Sequence, residues 1–264
     1  MSAFPPAAQD VRERRTVLVT GGSGGIGRAL CLAFAHAGYW VGVHYFRQRP
    51  AAEQTLALLS QAGGQGALYQ ADVRSSHEVQ AMLDAIRAQR GRLDTLLCNA
   101  GMASKHLVVT CPEETWQQII DTNLTGTYRC MTAAVNDMMT QGGGSVVVIG
   151  SFAGLQGTNG QAAYAASKAG LIGLVKTAAR EWGPRNIRVN LVCPGWQQTR
   201  MAGDSFPTGD RLDDHVLGRV SNLADVSRTI CQLAQLSDMS GQVWNLDRRI
   251  RKQDAENGRL RRRE

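Results

Sequence analysis

Short apolar runs rich in β-branched residues recur along the chain, and each is followed by a stretch whose apolar positions fall at helical spacing. "TVLVT" (16–20) reads as a buried strand, and "IGRALCLAFAHAG" (26–38) as a helix closed by glycine. "WVGVHY" (40–45) is a second strand, followed by a helix over 51–63 and a third strand over 66–72. A serine-capped helix covers 75–91, and "LDTLLCNAG" (93–101) is a fourth strand that runs into a loop. One long helical stretch spans about 113–141, then a fifth strand over 144–151. A helix over 161–183 ends at Gly183-Pro184, and a sixth strand covers 187–195. The polar loop over 196–222 is long for a compact domain, which suits a functional lid. A helix over 223–236 and a seventh strand over 241–247 complete the series.

This βαβ alternation predicts an α/β fold: a doubly wound, parallel, seven-stranded sheet of the Rossmann type with helices on both faces. A chain of 264 residues fits one such domain. The expected division is an N-terminal extension over 1–14, the domain over 15–247 and a tail over 248–264. Ligands of these sheets lie beyond the carboxyl ends of the strands, so chemistry is sought there.

Composition changes the picture by exclusion. No apolar run reaches the ~18–20 residues of a membrane span. The N-terminus lacks the apolar core of a signal peptide, so a cytoplasmic protein is expected. Six cysteines form no C-x-x-C pair, and five histidines show no ligand spacing, so reduced thiols and no metal are expected. The net charge of +7 is concentrated at the end: residues 248–264 hold eight basic and three acidic residues. The body is nearly neutral, which argues against a nucleic-acid-binding surface. The basic tail suits an acidic partner. A solvated terminus with no specific partner is the plainer reading.

"TGGSGGIG" (20–27) joins the first strand to the first helix. Gly21, Gly25 and Gly27 allow a tight turn and close approach of a pyrophosphate to the free N–H groups of the helix. An NAD site usually places Asp or Glu about 20 residues further on, for the ribose 2′-hydroxyl. Here the second strand ends in "HYFRQR" (44–49), with Arg47 and Arg49 and no carboxylate. A guanidinium suits a 2′-phosphate, so NADP(H) is favoured over NAD(H), chiefly through Arg47.

"QAAYAASKAG" (161–170) sets Tyr164 and Lys168 four positions apart on one helix face. With so few tyrosines and lysines in the chain, fewer than about 0.1 such pairs arise by chance at this composition. An ammonium beside a phenol favours the phenolate, so Lys168 is expected to lower the pKa of Tyr164 and make it a general acid. Ser151 ends the fifth strand, and Asn123 lies in "DTNLTG" on the long helix before it.

Together these motifs resemble the classical short-chain dehydrogenase/reductase family over about 14–247. The TGxxxGIG turn brings Ser23 and Ile26 into the cofactor turn beside the three glycines. Asp72-Val73 follows the third strand, Asn99-Ala100-Gly101 forms an NAG loop, and Pro194-Gly195 with Thr199 matches the family's PG motif. The resemblance implies a catalytic tetrad of Asn123, Ser151, Tyr164 and Lys168. Tyr164 would protonate the carbonyl oxygen and Ser151 would hold it. Lys168 would also bind the nicotinamide ribose, and Asn123 would position a water. It also implies adenine contacts from Asp72 and Val73, with the nicotinamide beside Pro194, Gly195 and Thr199. Within the family, "NLTGTYRCMTAAVNDMM" and "GQVWNLD" look most like 3-oxoacyl-[acyl-carrier-protein] reductases. That implies NADPH-dependent reduction of a 3-oxoacyl thioester, on acyl carrier protein or coenzyme A, by a homotetramer. The last strand departs from the family, ending in "NLDRRIRK" rather than in glycines. Other readings are an alcohol or ketone dehydrogenase for a sugar, steroid or polyketide, and a non-enzymatic dinucleotide-sensing or nucleic-acid-binding module.

Overall fold

The computed structural model describes residues 14–199, 215–247 and 249. Seven strands, β1 (Thr16–Val19), β2 (Trp40–Tyr45), β3 (Gln65–Gln70), β4 (Thr95–Cys98), β5 (Gly144–Ile149), β6 (Ile187–Cys193) and β7 (Val243–Asn245), form one sheet. Their order is β3-β2-β1-β4-β5-β6-β7, and every pairing is parallel. The helices are α1 (Gly25–His36), α2 (Arg49–Gln61), α3 (Ser76–Arg90), α4 (Glu113–Ile120), α5 (Gly126–Thr140), α6 (Ala153–Gln156), α7 (Ala162–Trp182) and α8 (Leu223–Gln235).

Alternate residues of each strand feed two cores, one on each sheet face. Leu18, Leu96, Val146 and Val148 pack with Met131 of α5 and Leu171 and Val175 of α7. Val17, Val19, Leu97 and Val147 pack with Leu30 and Phe34 of α1 and Ile230 of α8. Each such side chain taken fully from water contributes about 2 kcal/mol, so the sheet frame is well determined. The chain crosses from one side of β1 to the other between β3 and β4, which opens a crevice at the carboxyl ends of β1 and β4.

The helix expected over 113–141 is not continuous. A π-helical turn, Asp121–Thr125, separates α4 from α5, and the Gly126 N–H bonds back to the Asp121 carbonyl. The extra residue in this turn rotates Asn123 into the interior, where its side chain has no exposed surface. Most of the supposed lid at 196–222 lies outside the described residues, as do residues 1–13 of the extension and all of the basic tail but Arg249. That residue does not behave as part of a solvated terminus. It packs over the Phe152 ring, with its guanidinium carbon 3.9 Å from the ring centroid.

The six cysteines are free, and five are buried. Among the described residues no cluster of side chains could hold a metal, and no helix is long and apolar enough to cross a membrane.

Candidate active site

The glycine turn leaves β1 at the crevice and opens α1, whose N-terminus carries no side-chain cap. Gly27 is the tightest point of the turn. A Cβ there would stand 2.1 Å from the Gly21 carbonyl oxygen, a backbone atom with nowhere to go. Gly27→Ala is therefore expected to destabilise the fold by about 3 kcal/mol and abolish dinucleotide binding; urea unfolding and cofactor fluorescence titration measure the two effects. A fully stable variant that still binds cofactor would remove the turn from the site.

Neighbouring elements lock this turn. The Asn99 amide donates to the carbonyls of Thr20 (2.9 Å) and Gly21 (3.2 Å), and the N–H groups of Asn99 and Ala100 both donate to the Thr20 hydroxyl. His44 was not singled out in the sequence, yet it completes the lock. Its Nδ1 accepts the Gly21 N–H and its Nε2 donates to the Ala71 carbonyl, both at 2.9 Å. Burial holds its pKa down to about 4, so the ring stays neutral and keeps both bonds at neutral pH. A histidine in an otherwise apolar strand is the signal that could have revealed it.

The end of β2 carries the expected cation. Arg47 is exposed, 4.8 Å from the Phe46 ring centroid. Arg49 instead pairs with Glu53 along α2, at 2.9 Å. A second guanidinium missed in the sequence, Arg74, stands 5.7 Å from the same Phe46 ring. It grips Asp72 through both carboxylate oxygens, which keeps that carboxyl below its ordinary range. Val73 is buried in the core beneath α5.

The carboxyl end of β5 and the start of α7 supply the chemistry. Ser151 and Tyr164 line one cavity, together with Ile26 of α1 and with Gly195 and Thr199 beyond β6. The turn and the PG loop meet there: a Cβ on Gly25 would lie 2.9 Å from the Thr199 methyl. Pro194 is buried. Ser23 and its neighbours at the turn are tied to α2 through Arg28, whose guanidinium donates to the Ser23 carbonyl and the Gln54 side chain.

Lys168 is buried and donates to the Ile149 carbonyl at 2.7 Å. Its Nζ is 5.8 Å from the Tyr164 ring centroid. From the i, i+4 spacing alone, Lys168 is expected to pull the phenol down. In the structure burial pushes the Tyr164 phenol up, and the Ser151 hydroxyl is the group that opposes this through a hydrogen bond. The reason is where the ammonium points, toward the strand end, and its own burial, which lowers its pKa to about 8. Asn123 is held by Met102 from both sides, accepting from the N–H at 2.8 Å and donating to the carbonyl at 2.9 Å, and it donates to Ser167 at 3.0 Å. Above Gly101, a Cβ would lie 3.2 Å from Asn123 Oδ1 and 3.8 Å from Lys168 Nζ, so the missing side chain leaves these two groups facing one another.

The open helix end, the glycine cradle and the exposed Arg47 beside it fit a dinucleotide. The comparisons agree. The short chain dehydrogenase family matches residues 15–209. The chain is 37% identical over 225 residues to a 3-oxoacyl-[acyl-carrier-protein] reductase of Staphylococcus aureus, covering 83% of this chain and 90% of that one. It is 36% identical over 236 residues to the corresponding reductase of Synechocystis sp., covering 88% and 95%. A variant of the actinorhodin polyketide ketoreductase, solved with NADPH, superposes with a TM-score of 0.84 at 29% identity, covering 90% of this chain and 97% of that one. With the family model matched over residues 15–209 and relatives 36–37% identical over most of its length, the chain belongs to the short-chain dehydrogenase family of oxidoreductases.

Proposed function

We propose that this chain is an NADPH-dependent carbonyl reductase acting on 3-oxoacyl thioesters carried by acyl carrier protein or coenzyme A. The observation that carries the carbonyl chemistry is the convergence of Ser151, Tyr164 and buried Lys168 at the end of β5, beside the open end of α1. A reduced nicotinamide bound there supplies the hydride.

The protein's own groups do the rest. Tyr164, its phenol held protonated by burial, donates the proton to the carbonyl oxygen. The Ser151 hydroxyl hydrogen-bonds that oxygen and stabilises charge as it develops. Asn123 with Lys168 holds the proton path from solvent to the phenol. Gly21, Ser23, Gly25, Ile26 and Gly27 cradle the pyrophosphate; Asp72 and Val73 border the adenine, and the Asn99-Ala100-Gly101 loop packs beside the cofactor. Pro194, Gly195 and Thr199 border the nicotinamide. The thioester substrate class rests on the likeness to the two named 3-oxoacyl reductases. A ketone of another class is the second reading, favoured by the likeness to the polyketide ketoreductase. Exposed Trp116 and Tyr128 on α4 and α5 offer apolar area for the homotetramer.

Arg47 and Arg74, both beside Phe46, support NADPH. The test follows nicotinamide oxidation with an acetoacetyl thioester. A preference for NADPH over NADH of about 100-fold in kcat/KM is expected, falling about tenfold or more in Arg47→Ala. NADH used equally well would sink the cofactor assignment. Turnover of simple ketones without any of thioesters would select the second reading.

A further inference from the structure

Just beyond the last strand of the sheet, a charged pair sits in the cavity that holds Ser151 and Tyr164. Asp247 and Arg249 line the same cavity as Ser151 and Tyr164. The Arg249 guanidinium stacks on Phe152, the residue next to Ser151, at 3.9 Å, and faces Trp196 at 5.8 Å. The Asp247 side chain has no exposed surface and takes Nε (2.9 Å) and Nη2 (2.5 Å) of Arg249, while the Arg249 side chain keeps 18% of its own exposed. Gly195 makes room for this. Its φ is +74°, and a Cβ there would stand 3.0 Å from the Asp247 backbone.

The pair is built to orient the guanidinium. Asp247 occupies one edge, fixing the plane against Phe152. A guanidinium has five N–H donors, so the Nη1 end remains, and among the described residues nothing accepts from it. Locally the pair is neutral, and the free end of the guanidinium is its positive pole. A long alkyl chain entering here would meet a charged, fixed side chain. A planar anion would meet its matching donor fork, already aligned and partly desolvated.

We propose that Arg249 is a specificity-determining residue, and that the substrate carries a carboxylate a few bonds beyond its reacting carbonyl, seated on the Nη1 end of Arg249 over Phe152. This deepens the reductase reading and rests on it for the identity of the cavity. The class is then a 3-oxoacyl thioester whose acyl chain ends in a carboxylate, rather than one ending in a methyl.

The probes are the N-acetylcysteamine thioesters of 3-oxohexanoic acid and of 3-oxoadipic acid, which differ only in a terminal methyl or carboxylate. Their affinities for the complex of the full chain with NADP+, in which the ketone is not reduced, are measured by calorimetry. The wild type is expected to bind the carboxylate-ended compound about tenfold or more tightly. Arg249→Met alone strands a buried Asp247 and risks misfolding, so the double variant Asp247→Asn/Arg249→Met is compared. It should bring the affinity ratio to about one, with Arg249→Lys in between because an ammonium has no fork. Equal affinities in the wild type, no measurable binding of the carboxylate-ended compound, or a ratio that survives in the double variant would each overturn the proposal. NADPH oxidation with the same two compounds separates the two readings. Discrimination in binding with no turnover of either compound keeps the anion site and rejects the thioester reductase. Turnover of both with no discrimination in either assay does the reverse.

Discussion

Replacing Tyr164 by phenylalanine is expected to lower kcat/KM for carbonyl reduction by about a thousandfold, the middle of the range for loss of a positioned general acid. Cofactor affinity, read from nicotinamide fluorescence, should move less than about tenfold, a bound set by one neutral hydrogen bond. The ring stays, so packing in the cavity is retained, and only the O–H is lost. Ser151 cannot take over, because an aliphatic hydroxyl is a far weaker acid than a phenol. Stability should fall by about 1 kcal/mol, the hydrogen bond shared with Ser151. The decisive result is the split: chemistry lost, cofactor binding kept. A variant retaining a tenth or more of the turnover would mean that the proton comes from elsewhere.

The parts of this site that a reader could see in the amino-acid order are those in which function and local structure use the same few residues. The glycine turn is one: strand, turn and helix are adjacent, and Gly27 is required by a backbone contact only six positions away, at Gly21. The Tyr164–Lys168 spacing is another, because helix geometry alone puts both on one face. The strands were legible because both sheet faces are covered, so nearly every position in β1, β4 and β5 is buried.

What escaped depends on partners far along the chain. The π turn at Asn123 is fixed by Met102 and Ser167, which lie 21 and 44 positions away. Nothing local distinguishes it from continuous helix. The direction of Lys168 depends on the carbonyl of Ile149, 19 positions back, and its burial on the whole sheet end. Arg74 and Arg249 read as ordinary charged residues until Phe46 and Phe152 are placed beneath them. Net charge over residues 248–264 says nothing of which of those side chains turns inward, and Arg249 does.

Lys168 supplies the second large effect, and it has two signs. Lys168→Met should lower kcat/KM by about a hundredfold or more, because it removes one end of the proton path that recharges the phenol. The same change should make the protein more stable at neutral pH. In the native state the ammonium has a pKa of about 8, against an ordinary 10.5, because burial disfavours its charged form. Below pH 8 both folded and unfolded chains are protonated there, and the full cost of burying the charge, about 3 kcal/mol, weighs on the folded state. Between pH 8 and 10.5 the unfolded chain binds the proton and the native one does not, so this cost is relieved and stability rises with pH. Methionine fills the space without charge, but it forfeits the bond to the Ile149 carbonyl, worth about 2 kcal/mol. The net gain at pH 7 is then about 1 kcal/mol, seen as a higher urea midpoint at unchanged slope, and it should vanish between pH 8 and 10 as the wild type sheds its proton. Activity should report the same titration from the other side: reduction by the wild type declines above about pH 8, and the methionine variant lacks that break. A variant that is less stable at pH 7 and keeps the break would show that Lys168 is held there for packing. A variant that is more stable and slower would show that the site retains a buried charge for its chemistry at the expense of the fold.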